Sequence, residues 1–206
     1  PGSVPPNSKE LYQEGAAIYS EFIVKNGEFQ EQLVHKLLFE EPAKYPGCSG
    51  SRRLSDNISD LKAQIAANNK GIQLIAKLMR EKGLEAIVKY MKAIQNNSSE
   101  TIKKMLKQLA QHFGQTEFSG EDLMDDGTLI KLRVNFNFEK EEYVFDFDGT
   151  SPQVYGNINA PEAITNSAIL YCLRCLVGED IPLNQGCLKP ITVKIPKGSV
   201  LSPING

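Results

Sequence analysis

From Ile130 the chain alternates: Ile130, Leu132, Val134 and Phe136 are apolar, and Lys131, Arg133, Asn135 and Asn137 between them are polar. A period of two marks a half-buried strand. Asp125-Asp126-Gly127 supplies the turn before it, and the polar 139–142 stretch leads into a second strand through Val144, Phe145 and Phe147. The two should pair antiparallel. Asp148-Gly149-Thr150-Ser151-Pro152 is turn chemistry, and Val154-Tyr155-Gly156 could open a further strand that closes a hairpin. Ala163, Ile164, Ala168, Ile169, Cys172, Leu173 and Leu176 then recur at helical spacing over 162–177, and Gly178 ends the helix. Ile191 to Ile195 alternates again before Pro196.

The first half has the helical period. Ser8 to Ile23 predicts a first helix capped by Ser8, with a strand over Glu21 to Val24 as the alternative. Asn26-Gly27 is a strong turn signal, and Glu31 to Phe39 a short helix. Glu40 to Arg53, with two prolines and two glycines, reads as a connector. A long helix begins near Ser55-Asp56 with Leu61, Ile65, Ile72, Ile75 and Met79 on one stripe. It breaks at Gly83 and resumes over 84–94, and a new run capped by Ser98 or Ser99 carries Ile102, Met105, Leu106, Leu109 and Phe113. Short breaks predict long antiparallel helices. The fold class is therefore α+β, with a mainly helical part over 1–113. A strand-rich part follows over 114–206, its small sheet mostly antiparallel with one packed helix, and the two parts are expected to form one incomplete domain.

Charge and composition exclude several classes. A net charge of −2 gives no electrostatic footprint for nucleic acid. No apolar run approaches the ~20 residues that span a bilayer, and Pro1-Gly2-Ser3 opens no signal peptide, so a cytosolic protein is expected. The start without Met and the open end predict a piece of a longer chain. Four cysteines are too few for a secreted disulfide framework. Cys172 and Cys175 fall on the apolar side of the predicted helix and read as buried thiols rather than a redox or zinc pair.

No phosphate-binding GxxxxGK[ST], GxGxxG or GxSxG motif is present. His35 and His112 stand alone and read as surface or capping residues. Asp56, Asp125, Asp126, Asp146 and Asp148 sit in turns or helix starts, where aspartate usually caps. Asp60, Gln64 and Asn68 differ: at i, i+4 and i+8 they make one polar stripe beside Ala63, Ala66 and Ala67. A solvated face is one reading, and a catalytic stripe approached closely by a ligand is the other. Gly156, Asn157 and Asn159 lie where the strand pattern stops before a helix. They read either as turn formers or as substrate-facing groups held by rigid flanks.

Four long stretches carry a resemblance: PGCSGSRRLSDNISDLKAQIAANNKGIQL, MDDGTLIKLRV, FDFDGTSPQVYGNINAP with YCLRCLVGEDIPLNQGCLKP, and NQGCLKPITVKIPKGSVLSP. With the opening PGSVPPNS they resemble, in order, the B region of the hydantoinase B/oxoprolinase family, and its 5-oxoprolinase branch more than the bacterial hydantoinases or acetone carboxylases. The resemblance implies ATP-dependent opening of the lactam of 5-oxo-L-proline to L-glutamate, in glutathione metabolism, with magnesium and potassium. It implies that ATP is bound by a hydantoinase A-like part, the partner of this one. A His- and Asp-rich metal segment of the family would lie before Pro1, so no metal or nucleotide ligand is expected in this chain, and the chain alone is expected to be inactive. A truncated B part would also expose surface, so a homo-oligomer is expected. Two alternatives stay open: a B-type segment of a related hydantoinase or carboxylase, and a non-catalytic scaffold.

Overall fold

The computed structural model describes residues 8–16, 18–178, 180–182 and 184–204. The readings placed on 1–7 and on the last two residues lie outside them. The chain forms two compact units: one runs to Gly83 and takes in Tyr155–Asn157, and the other comprises Leu84–Val154 and Ile158–Gly206.

In the first unit, helix α1 covers only Leu11–Glu14. The expected helix to Ile23 is thus a single turn, capped not by Ser8 but by Glu10, whose backbone N–H donates to Gln13 Oε1. Gly15 takes φ 134, outside the helical region, and the apolar residues beyond it, Tyr19 and Phe22, are 78% and 75% exposed. A helix there would have no apolar face to bury. The strand alternative holds only at its end: β1 (Val24–Lys25) pairs antiparallel with β2 (Glu28–Phe29). Asn26 and Gly27 join them with φ 53 and 84, the doubly left-handed two-residue turn that matches strand twist. Helix α2 (Glu31–His35) continues as a π-helical turn over Lys36–Glu40. After a 3-10 turn at Pro42–Lys44, α3 runs from Leu54 to Lys82. Its stripe at Leu61, Ile65, Ile75 and Met79 is half-buried, but Ile72 is exposed.

In the second unit, α4 is one helix from Leu84 to Phe113. The expected break at Ser98 and Ser99 does not occur. No glycine or proline interrupts the run, and the Ser98 hydroxyl donates to the Ile94 carbonyl one turn back, so it is satisfied inside the helix. Both serines are buried, not capping. Ile102, Met105, Leu106 and Ala110 of α4 join the sheet's core, which places this helix with the strands.

The sheet has the order β3-β4-β5-β6, built from Glu117–Leu123, Leu129–Asn137, Glu142–Asp146 and Ile191–Lys194. The first two pairings are antiparallel, as expected for β4 and β5, and β5 pairs with β6 in parallel. The hairpin expected through Val154–Gly156 is absent: only Pro152 makes an isolated bridge, to Ser199. Helix α5 (Glu162–Val177) supplies the long connection a parallel pair needs. Along β5, Tyr143, Phe145 and the following Phe147 are buried while Val144 and Asp146 are less so. Phe118, Phe136, Phe138 and Tyr143 form an aromatic cluster with ring centroids 5.7 to 6.1 Å apart.

Gly178 closes α5 in the left-handed conformation, φ 65. Thr165, Ile169 and Leu173 are the buried stripe. Ile164, Tyr171 and Leu176 are more than half exposed. Cys172 and Cys175 are exposed too, which overturns their reading as buried thiols. The α5 sequence is apolar on several faces, and the i, i+4, i+8 row of Thr165, flanked by the partly buried Leu170 and Val177, meets the core.

Candidate functional site

A cavity of about 590 Å³ opens where β5, β6 and the start of α5 converge. Three elements build it. Asp146 ends β5, and Asp148 follows in the turn that Gly149 shapes with φ 89. Glu162 and Asn166 lie one turn apart on α5. Val193 and Lys194 end β6, and Ile195 and Pro196 continue the wall. Asp146 and Lys194 are register partners across the parallel pair, yet no ion pair joins them. The Asp146 Oδ1 instead accepts the Asp148 N–H at 3.0 Å, the side chain-to-backbone turn expected of it. Glu162 Oε1 accepts from Ser202 Oγ at 2.8 Å. Asn166 and Lys194 have no side-chain hydrogen bond or ion pair with any other described residue, so an amide and an ammonium face the cavity uncommitted. Ligand sites commonly fall at the carboxyl ends of parallel strands beside a crossover helix. Reading 143–194 as one strand–helix–strand unit would have drawn attention to Asn166 and Lys194; the sequence pattern alone did not single them out.

The residues singled out in the sequence fall elsewhere. Asp60, Gln64 and Asn68 share one exposed face of α3, with Ala63, Ala66 and Ala67 exposed beside them. None of the three polar side chains bonds to another described residue. Gly156 and Asn157 belong with the first unit and are half-buried, Gly156 with φ 150. The neighbouring Tyr155 hydroxyl donates to Glu10 Oε1 at 3.0 Å, and that bond pushes the phenol's pKa up. Asn159 belongs with the second unit, where its amide grips the backbone of Val154: Oδ1 accepts from the Val154 N–H at 2.9 Å and Nδ2 donates to its carbonyl at 2.8 Å. That is a turn-forming use of asparagine.

Among the described residues no three His, Cys, Asp or Glu lie together as a metal ion would need. His35 Nδ1 lies 2.9 Å from Glu40 Oε1, and His112 packs edge-on to Phe113. No helix among the described residues is long and apolar enough to cross a membrane.

The chain is 74% identical over 206 residues to the 5-oxoprolinase of Saccharomyces cerevisiae, a match that covers all of this chain and 16% of that protein. It is 49% identical to 5-oxoprolinase 1 of Arabidopsis thaliana over 98% of the chain and 17% of that protein. It is 48% identical to the 5-oxoprolinase of Dictyostelium discoideum over 98% of the chain and 16% of that protein. In fold, the chain is similar to a nucleotide-free acetone carboxylase structure at a TM-score of 0.70 with 15% identity, covering 98% of this chain and 27% of that one. The chain thus spans a small part of the length of the relatives it matches. The profile described as hydantoinase B/oxoprolinase matches residues 1–206, and the chain belongs to that family.

Proposed function

We propose that this chain is the B-region segment of an ATP-dependent 5-oxoprolinase, which opens the lactam of 5-oxo-L-proline to L-glutamate. The observation that carries the reading is the 74% identity to the yeast 5-oxoprolinase along every residue of the chain. A five-membered lactam is a stable amide, so water attacks its carbonyl only after activation, and ATP supplies that activation and the driving force. ATP, magnesium and potassium are assigned to other parts of the longer enzyme, in keeping with the division into A-like and B-like parts. This segment contributes to the substrate side. It works in the cytosol, within glutathione metabolism.

The remaining parts of the enzyme are its partners, and a homo-oligomer is the assembly we propose. The exposed apolar residues Ile164, Tyr171 and Leu176 of α5 support both, since large apolar residues left open on one helix mark a surface that is covered in the assembled protein. The Asp60, Gln64 and Asn68 face, and separately Gly156, Asn157 and Asn159, are retained as candidate contributors. The competing reading is a scaffold segment without substrate contact.

A segment swap tests the proposal. This chain replaces the matching part of the yeast 5-oxoprolinase, and glutamate release from 5-oxoproline and ATP is measured. The proposal predicts an active chimera that loses activity on substitutions at exposed polar residues of the segment. An active chimera indifferent to all of them would favour the scaffold.

A further inference from the structure

Five polar side chains line the cavity at the ends of β5 and β6, and they are not equivalent. Asp146 and Glu162 are tied to the fold by the Asp148 N–H and the Ser202 hydroxyl. Asn166, Lys194 and the Asp148 carboxylate are not tied to any described side chain, although all three line the same space. Holding an amide and an ammonium at a cavity wall without partners leaves their hydrogen-bonding capacity for a ligand.

The lining also restricts what that ligand can be. Three carboxylates against one ammonium disfavour a polyanion that arrives without its counter-cations. A ligand with a single negative charge and a neutral amide matches it better. The volume of about 590 Å³ is within the range of small-molecule sites. Val193, Ile195 and Pro196 give an apolar wall for a saturated ring.

We infer that this cavity binds a cyclic amide bearing a carboxylate, with the Asn166 carboxamide paired to the lactam edge and Lys194 to the carboxylate. A small ring holds its amide cis, so the lactam N–H and C=O point to the same side. A primary carboxamide presents its oxygen and its NH2 side by side as well. The two edges therefore meet in a pair of hydrogen bonds, Asn166 Oδ1 accepting from the lactam N–H and Asn166 Nδ2 donating to the lactam carbonyl. Lys194 donates a charge-assisted bond to the carboxylate, the stronger kind of contact. Both residues bind and orient substrate and neither transfers a proton. The inference rests on the proposed function and adds the subsite that recognises the substrate.

The test uses the yeast chimera carrying this chain, with 5-oxoproline and with 2-pyrrolidinone, the same lactam without its carboxylate. Lys194→Gln is expected to raise the KM for 5-oxoproline at least about tenfold, with a smaller change in kcat. The same substitution should leave the weaker binding of 2-pyrrolidinone within about twofold, because the contact it removes is to the carboxylate. Asn166→Asp keeps the shape but replaces the donor NH2 with an acceptor, and should weaken both ligands. Melting temperatures of the variants check that they fold. Properly folded Lys194→Gln and Asn166→Asp chimeras with unchanged KM for 5-oxoproline would overturn the inference. An inactive unsubstituted chimera would count against the proposed function instead. In that case 5-oxoproline binding by the chimera, followed by ligand-observed NMR, decides the subsite: binding weakened by Lys194→Gln upholds it, and no binding or unaltered binding overturns it.

Discussion

The Asn184 Nδ2 donates to the Ser98 hydroxyl oxygen at 2.9 Å, joining the loop after α5 to the middle of α4. Its own Oδ1 accepts the Gly186 N–H at 2.8 Å, and Ser98 is fully buried. The 3-10 turn Gln185–Cys187 is thereby seated on α4 so closely that a methyl group on Gly186 would run into the Gln95 carbonyl. We expect Gly186→Ala to lower stability by about 1–3 kcal/mol through overpacking. Asn184→Ala should cost about 1–3 kcal/mol by leaving buried groups unpaired. Denaturant midpoints measure both. Changes below about 0.5 kcal/mol would show that the turn is not held this way.

Leu106 is 1% exposed and packs in the core shared by α4, the sheet and α5. Leu106→Ala should cost about 2–5 kcal/mol, the range for cavities in well-packed cores. Ile72→Ala, on the exposed part of α3, should change stability by less than about 0.5 kcal/mol in the same denaturation experiment.

Asp126 gives a pH signature. Its Oδ1 accepts the Thr128 N–H at 2.9 Å, which holds its pKa below the ordinary 3.8. A carboxyl whose pKa is depressed by folding stabilises the fold above its unfolded value, and that contribution is lost as pH falls through the folded value. Wild type should therefore exceed Asp126→Ala in melting temperature at neutral pH, and the gap should narrow as pH drops below about 3.8. A gap independent of pH would assign the effect to something other than the carboxylate.

Asn159 and Asp60 separate structure from function. Asn159→Ala removes both bonds to Val154 and should lower stability by about 1–3 kcal/mol. Asp60→Ala touches no described partner and should leave stability within about 0.5 kcal/mol. If the α3 stripe faces substrate, Asp60→Ala in the yeast chimera lowers glutamate release with the melting temperature unchanged. Full activity would remove the stripe from the site.

Much of the fold was legible because it is written in local periods. The eight alternating residues from Ile130 appear within β4, and the 162–177 helix has the predicted bounds. What was missed depends on contacts far apart in sequence. The parallel pairing of β5 with β6 and the packing of α4 under the sheet are tertiary choices that no window reveals. Ser98 reads as a cap because serine usually is one, and its partners Ile94, Pro182 and Asn184 explain it mid-helix. Cys172 and Cys175 lie on an apolar helix that turns only its Thr165, Ile169, Leu170, Leu173 and Val177 side to the core. Asn166 and Lys194 carry no motif, and their common cavity exists only once the crossover is folded.

The most direct measurement is glutamate released from 5-oxoproline and ATP, by this chain alone and by this chain combined with the remaining parts of the enzyme. None is expected from the chain alone, and ATP-dependent release is expected from the combination. Release by the chain alone would place a nucleotide site within it and contradict the division of labour. No release from a folded combination would contradict its assignment to a 5-oxoprolinase.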